Sequence, residues 1–260
     1  MSYVAMQPQA SWRRAARWPL ILPLHALLLL LGLVSLAWNL VAALLYPLLS
    51  RERGTVIGRA VIAHGYRAYW AIARASGMLY LDSQVLDRLR DEPGLIIVAN
   101  HPSLLDALML VARLPRSACI MKADLMRNVF LGSGARLARY IRNDSARGLV
   151  RLAVADLRRG GQLVVFPEGT RTTRSPINTF RPGVPLIAKL AQAPIQAVFI
   201  DTDSPYLGKG WPLWKLPPLP IRFSVRLGAR FEPQADTAAM LAELESCFAE
   251  GLRPRRVHDA

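Results

Sequence analysis

Residues 18 to 50 carry no charged side chain, and within them Leu24 to Tyr46 is a run of 23 residues broken only by His25, Ser35 and Asn39. As a helix this run measures about 34 Å at roughly 1.5 Å per residue, enough for a hydrocarbon core about 30 Å thick. It therefore reads as a membrane helix rather than the core helix of a soluble domain. It is too long for the apolar part of a cleaved signal peptide and ends without a small-residue cleavage site. Arg13, Arg14 and Arg17 precede the run and Arg51, Arg53 and Arg59 follow it, so the flanking positive charge ties and assigns no orientation.

Beyond it, Thr55 to Ser76 places Arg59, Arg67 and Arg74 at helical spacing among Ile57, Val61, Tyr66, Tyr69, Trp70 and Ile72. This pattern is an amphipathic helix with two readings: aromatic residues at head-group level, or a helix packed on the soluble domain.

The formal net charge is +15 and the lysines are confined to Lys122, Lys189, Lys209 and Lys215, so arginine supplies most of the positive charge. Such a chain seeks acidic partners: anionic lipid head groups, phosphorylated substrates, an acidic carrier protein or nucleic acid. Arginine is the better bidentate phosphate ligand. Cys119 and Cys247 are isolated and have no metal or redox spacing, so neither a disulfide framework nor a zinc site is expected.

From Gly77 onward short β-branched runs alternate with helical stretches. Strands are expected at Gly94 to Ala99, Ser117 to Met121, Gln162 to Phe166, Ile195 to Ile200 and Ile221 to Leu227. Helices are expected at Ser103 to Arg113, Ala146 to Arg159, Val184 to Leu190 and Thr237 to Gly251. Ser204 to Pro220, with five prolines and two tryptophans, reads as a structured loop. The expected fold class is α/β, a central mostly parallel or mixed sheet flanked by helices, behind the hydrophobic helix and the amphipathic one.

Two strand-to-loop junctions carry the candidate chemistry. Gly94-Leu95-Ile96-Ile97-Val98-Ala99 is an uninterrupted apolar strand that runs into Asn100-His101-Pro102-Ser103. Ser103 is a suitable N-cap, and Asp106 three residues later completes a capping box. His101 then stands at the sheet edge where α/β proteins bind ligands. There its imidazole accepts the proton of an attacking hydroxyl, with Asp106 holding the tautomer. Taken alone, a loop histidine beside a helix cap explains the same residues. The second junction follows Gln162-Leu163-Val164-Val165-Phe166 with Pro167-Glu168-Gly169-Thr170-Arg171. Its tight turn aims Glu168, Thr170 and Arg171 at the same edge, Arg171 to hold a phosphate and Glu168 to fix an acceptor hydroxyl.

With both junctions in view, the chain resembles the glycerolipid acyltransferase superfamily, whose type members acylate lysophosphatidic acid. Asn100-His101 followed by Asp106 matches that family's Asn-His-four residues-Asp block. Phe166-Pro167-Glu168-Gly169-Thr170-Arg171 matches its phosphate-binding block in full, at the family's separation of about 60 residues. The likeness extends from Gly77 to Glu232. Tyr140-Ile141-Arg142 matches a further block in part, which makes Arg142 a candidate phosphate ligand with Arg147 as a rival. Pro182, in Phe180-Arg181-Pro182-Gly183, replaces a basic position of the family, and Ile195-Gln196-Ala197-Val198 lacks its proline.

The resemblance implies His101 and Asp106 as catalytic residues and Asn100, Arg142, Glu168, Gly169, Thr170 and Arg171 as substrate-binding ones. It implies an acyl thioester on coenzyme A (acyl-CoA) or acyl carrier protein (acyl-ACP) as donor, a lysophospholipid such as 1-acylglycerol 3-phosphate as acceptor, membrane lipids as partners, and neither cofactor nor metal. It also implies a membrane-anchoring region over 1–76 and a catalytic domain over 77–260. Thioester donors are cytosolic, so the anchor is expected to be monotopic, re-entrant or an N-out span that keeps His101 on the cytosolic side of a bacterial-type inner membrane.

Other readings are a different acceptor, such as an amino-acid-containing lyso-lipid, and a non-catalytic protein that binds anionic lipid. No helix-turn-helix, zinc-finger or RNA-binding strand signature is visible, so no nucleic-acid partner is expected. The chain has no Gly-x-Ser-x-Gly elbow, which disfavours a serine hydrolase.

Overall fold

The computed structural model describes residues 21–253. Arg13, Arg14 and Arg17 lie outside the described residues. In chain order the elements are α1 (Ile21–Leu45), α2 (Arg51–Ala75), β1 (Leu79–Asp82), β2 (Ile96–Ala99), α3 (Asp106–Arg113), β3 (Ser117–Lys122), α4 (Gly132–Leu137), β4 (Ile141–Asn143), α5 (Ala146–Leu157), β5 (Gln162–Val165), α6 (Gly183–Ala191), β6 (Ile195–Thr202), β7 (Ile221–Phe231) and α7 (Thr237–Gly251). Short 3-10 turns occupy Gln84–Leu89 and Ala123–Arg127.

The strands form one seven-stranded sheet in the order β1-β7-β6-β2-β5-β3-β4. The five strands from β6 to β4 are parallel, whereas β7 pairs antiparallel with β6 and carries β1 with it. The sheet is therefore mixed. Because β2 and β5 lie at its centre with both faces covered, they read as continuous apolar runs. Successive side chains of β2 feed opposite cores: Ile97 and Ala99 face the cluster that also contains α3 residues, Ile96 and Val98 the one built with α5, α6 and α7. Each fully buried aliphatic side chain contributes about 1.5 to 3 kcal/mol through lost contact with water.

The amphipathic segment forms α2, capped by Ser50, whose hydroxyl accepts the Arg53 N–H at 3.4 Å. Of its two readings, the structure takes packing on the domain. Tyr69, Trp70 and Ala73 share a core cluster with Leu79, Ile97 and Leu110. Arg59 is buried as well. It donates to Ala138 O at 3.0 Å and Arg116 O at 2.8 Å and pairs with Asp156 at 2.8 Å. A Cβ on Gly58 would stand 2.8 Å from the Ala138 nitrogen, so the absent side chain is what lets α2 settle on the end of α4. The division at 76/77 thus falls inside one packed unit, because the interior that α2 covers is the sheet's own.

The apolar run forms α1, the one helix among the described residues long and apolar enough to cross a membrane. It also lies along the domain. Leu24, Leu27, Asn39 and Ala42 turn inward while Leu22, Leu29, Leu33, Leu40 and Leu44 are exposed. Hydrogen bonds hold it along its length: His25 Nε2 with Leu213 O at 3.0 Å, Asn39 accepting the Gly134 N–H at 3.0 Å and donating to Phe130 O, and, just past the helix end, Arg139 donating to the Tyr46 hydroxyl at 3.2 Å.

Candidate active site

β2 and β5 are adjacent parallel strands, paired from Ile96 with Leu163 to Val98 with Val165, so the loops that follow them leave the sheet side by side. The first loop carries His101, which is 18% exposed, and its Nδ1 lies 2.9 Å from Asp106 Oδ2. The imidazole stacks on the Phe166 ring, with centroids 4.1 Å apart and planes at 20°. Bonded on one nitrogen and stacked on one face, the ring is fixed in direction. Nε2 makes no hydrogen bond with any described residue and is the atom left to meet a ligand.

Asp106 is completely buried, and its Oδ2 also accepts the Ser103 N–H at 2.7 Å. Burial pushes its carboxyl up to about 6; the hydrogen bond and charge of His101 and the Ser103 N–H act the other way, and the Glu168 charge adds to the rise. Oδ1 is buried with no partner among the described residues, which fits a carboxyl held against its preference for water. The expected capping box is only half formed. The helix begins at Asp106 rather than Ser103, and the Ser103 hydroxyl donates to Tyr206 O at 3.0 Å and accepts the Leu105 N–H at 3.3 Å instead of the Asp106 N–H.

Asn100, expected to touch substrate, is buried instead and ties two strands together. Its Nδ2 donates to Ile200 O at 2.9 Å and its Oδ1 accepts from Ile200 N–H at 2.8 Å. Glu168 is likewise a correction, because its carboxylate is only 4% exposed and is taken up by the protein. Oε1 accepts the His101 N–H at 3.0 Å and the Thr172 hydroxyl at 2.6 Å, and Oε2 accepts the Asn178 N–H at 2.9 Å. Thr172 closes the clasp by donating its N–H to His101 O at 2.7 Å. Glu168 thus holds the histidine loop in place through these three bonds.

Gly169 sits at φ 67, a conformation glycine adopts without strain, and the Arg181 side chain fills the place of its missing Cβ. Thr170 is half-buried and makes no hydrogen bond with a described residue. Arg171 Nη1 donates to Leu207 O at 2.8 Å and Gly208 O at 3.0 Å, pinned by the proline-rich loop. Its Nε and Nη2, the edge that forks onto a carboxylate or phosphate, carry no bond to a described residue. Arg142 is not brought to His101. It stands on β4, three strands from β2 and about 14 Å away at roughly 4.8 Å per strand, and its exposed side chain pairs with Asp144 at 3.2 Å.

Sequence reasoning missed the stacking role of Phe166 and the bracing by Thr172 and Asn178. Phe166 opens the second motif and Thr172 follows it, so both were within reach; Asn178 has no local signal. Among the described residues no group of three His, Cys, Asp or Glu side chains could hold a metal ion.

Residues 81–201, the span containing both junctions, match the family model described as Acyltransferase. No curated protein matches the chain. Among solved structures, the 1-acyl-sn-glycerophosphate (LPA) acyltransferase PlsC from Thermotoga maritima shares the fold, with a TM-score of 0.57 and 18% identity over 85% of this chain and 94% of that one. Both sequence blocks lie inside that family match and their loops leave one sheet edge side by side, so residues 81–201 form an acyltransferase domain.

Proposed function

We propose that this acyltransferase moves a fatty acyl group from an acyl thioester, on coenzyme A or acyl carrier protein, to the hydroxyl of a lysophospholipid, with 1-acylglycerol 3-phosphate the first candidate. The observation that carries this reading is the His101–Asp106 pair at 2.9 Å with Nε2 left free, on the loop next to the one that carries Arg171. Nε2 takes the proton of the acceptor hydroxyl as its oxygen attacks the thioester carbonyl. When the tetrahedral intermediate collapses, the carbon–sulfur bond breaks and the imidazolium returns the proton to the thiolate. Asp106 keeps Nδ1 protonated and stabilises the imidazolium between these steps.

The Nε and Nη2 edge of Arg171 receives the acceptor phosphate, and that choice supports a phosphorylated lyso-lipid over an uncharged acceptor. Membrane association has support in α1. Its contacts at His25, Asn39 and Tyr46 extend over about 30 Å of helix at roughly 1.5 Å per residue. A helix held to the domain along that length inserts its exposed leucines into one leaflet instead of crossing alone, with the catalytic domain on the cytosolic side. The test is purified protein with labelled acyl thioester against a panel of lyso-lipids. Transfer to 1-acylglycerol 3-phosphate is expected to dominate; equal transfer to a phosphate-free lyso-lipid would sink the phosphate reading.

A further inference from the structure

A second basic site lies at the opposite edge of the sheet from His101. There the start of α2, the turn before β3 and the turn before β5 border an open cleft of about 700 Å³, in the size range of small-ligand pockets and far beyond a single ion. Five arginines line it against two carboxylates, Glu52 and Asp156. Arg59 is already neutralised by Asp156 at 2.8 Å, and Arg159 reaches the same carboxylate only at 3.9 Å. Arg51, Arg116 and Arg139 form no ion pair with a described residue, so three positive charges stand in excess. Arg139 is held for the purpose of its position rather than its comfort. It is a non-glycine residue at φ 57, and its Nε is buried without an acceptor among the described residues.

The surroundings identify the kind of anion. Arg139 lies over the Tyr46 ring, 5.1 Å from its centroid, where the apolar helix ends. Val56, 69% exposed, lines the wall, and Leu44 and Leu48, in the chain segment that leads to Arg51, are 70% and 77% exposed. A basic pocket bordered by exposed aliphatic side chains suits an amphiphile with a phosphate head and apolar tails. We infer that this cavity binds the head group of one anionic phospholipid, separately from the catalytic site and independently of which acceptor that site uses.

Native mass spectrometry of the full chain, released from detergent carrying either phosphatidylglycerol or phosphatidylcholine, tests this. One phosphatidylglycerol is expected to stay bound, with phosphatidylcholine lost. Retention falls about tenfold or more in the double variant Arg51→Glu, Arg159→Glu, whose changes are on exposed side chains, and stays unchanged in Arg171→Gln and in the control Arg147→Glu, Arg151→Glu. If the double variant melts early, Arg159→Gln alone carries the same comparison. Equal retention of phosphatidylcholine, undiminished retention in the cavity variants, or loss in Arg171→Gln would each overturn the proposal. So would displacement by inorganic phosphate at concentrations near the lipid's, which would assign the cavity to a soluble phosphate.

Discussion

The junctions after β2 and β5 look alike in sequence, each an apolar strand, a proline-containing turn and an acid, yet they do different work. After β2, the acid Asp106 is buried behind a histidine that keeps one nitrogen free. After β5, the acid Glu168 spends both oxygens on backbone and hydroxyl donors of neighbouring loops. In the proposed reaction the first junction holds the reacting group, and the second holds the first in place and offers Arg171. Two carboxylates of one site are thus separated by their hydrogen-bond partners, not by their residue type.

The largest effect that could break this contrast is at His101. His101→Ala should lower kcat by about 100 to 10,000-fold, the range for losing a positioned base, with the melting temperature little changed. Near-normal turnover in a folded variant would remove the base from the site. Asp106→Asn should also lose most of kcat, by about 100-fold or more, because the imidazolium loses its counter-charge. An unfolded protein would instead show that Asp106 is chiefly a helix-start residue.

Replacing Arg171 sharpens the other half. Arg171→Gln should raise the KM for a phosphorylated acceptor by about 10- to 100-fold, since a hydrogen bond to a charged group is worth roughly 1.5 to 3 kcal/mol, while kcat stays within a few fold. The same change at Arg142, exposed on the edge strand, should raise KM less. Reversal of that order would move the phosphate toward β4. Glu168→Gln should cost about 1 to 3 kcal/mol of stability in chemical denaturation, because an amide nitrogen would face a donor it cannot accept from. Loss of turnover with unchanged stability would return Glu168 to substrate binding.

How much of this was legible depends on where each contact's partner sits in the chain. The central strands announced themselves through unbroken apolar runs, and His101 with Asp106 through spacing within one loop and turn. β4 did not, since its three residues bury only Ile141 and show no alternation. The edge strand β1 was missed too, because its place is set by pairing with β7, more than 130 residues later. The roles of Asn100 and Glu168 were misread for the same reason. Asn100 was assigned by family position and Glu168 by the aim of its turn, while their actual partners, among them Ile200 and Asn178, are fixed only when distant segments meet. The N-terminal helices show the converse limit: hydropathy gave their existence and length, but side-chain contacts with the domain decided how they lie.

The pH dependence is the most discriminating, because activity and stability should move in opposite directions with it. The folded Asp106 carboxyl titrates near 6, against 3.8 when unperturbed. A raised folded value means the protonated form is the one folding favours. Its stabilising contribution is complete below about 4 and is lost as pH rises through about 6, a change of roughly 3 kcal/mol at about 1.4 kcal/mol per tenfold. Catalysis needs the ionised carboxylate, so kcat/KM should rise through that same window. The stability of wild type relative to Asp106→Asn, measured by denaturation at several pH values, should therefore fall between pH 4 and 7 while wild-type activity climbs. In Glu168→Gln the nearby negative charge is gone, and the acid limb of the rate profile should shift downward. An upward shift, or a wild-type stability difference that rises with pH, would mean that the buried carboxylate is stabilised by its surroundings and that burial is not what sets this site.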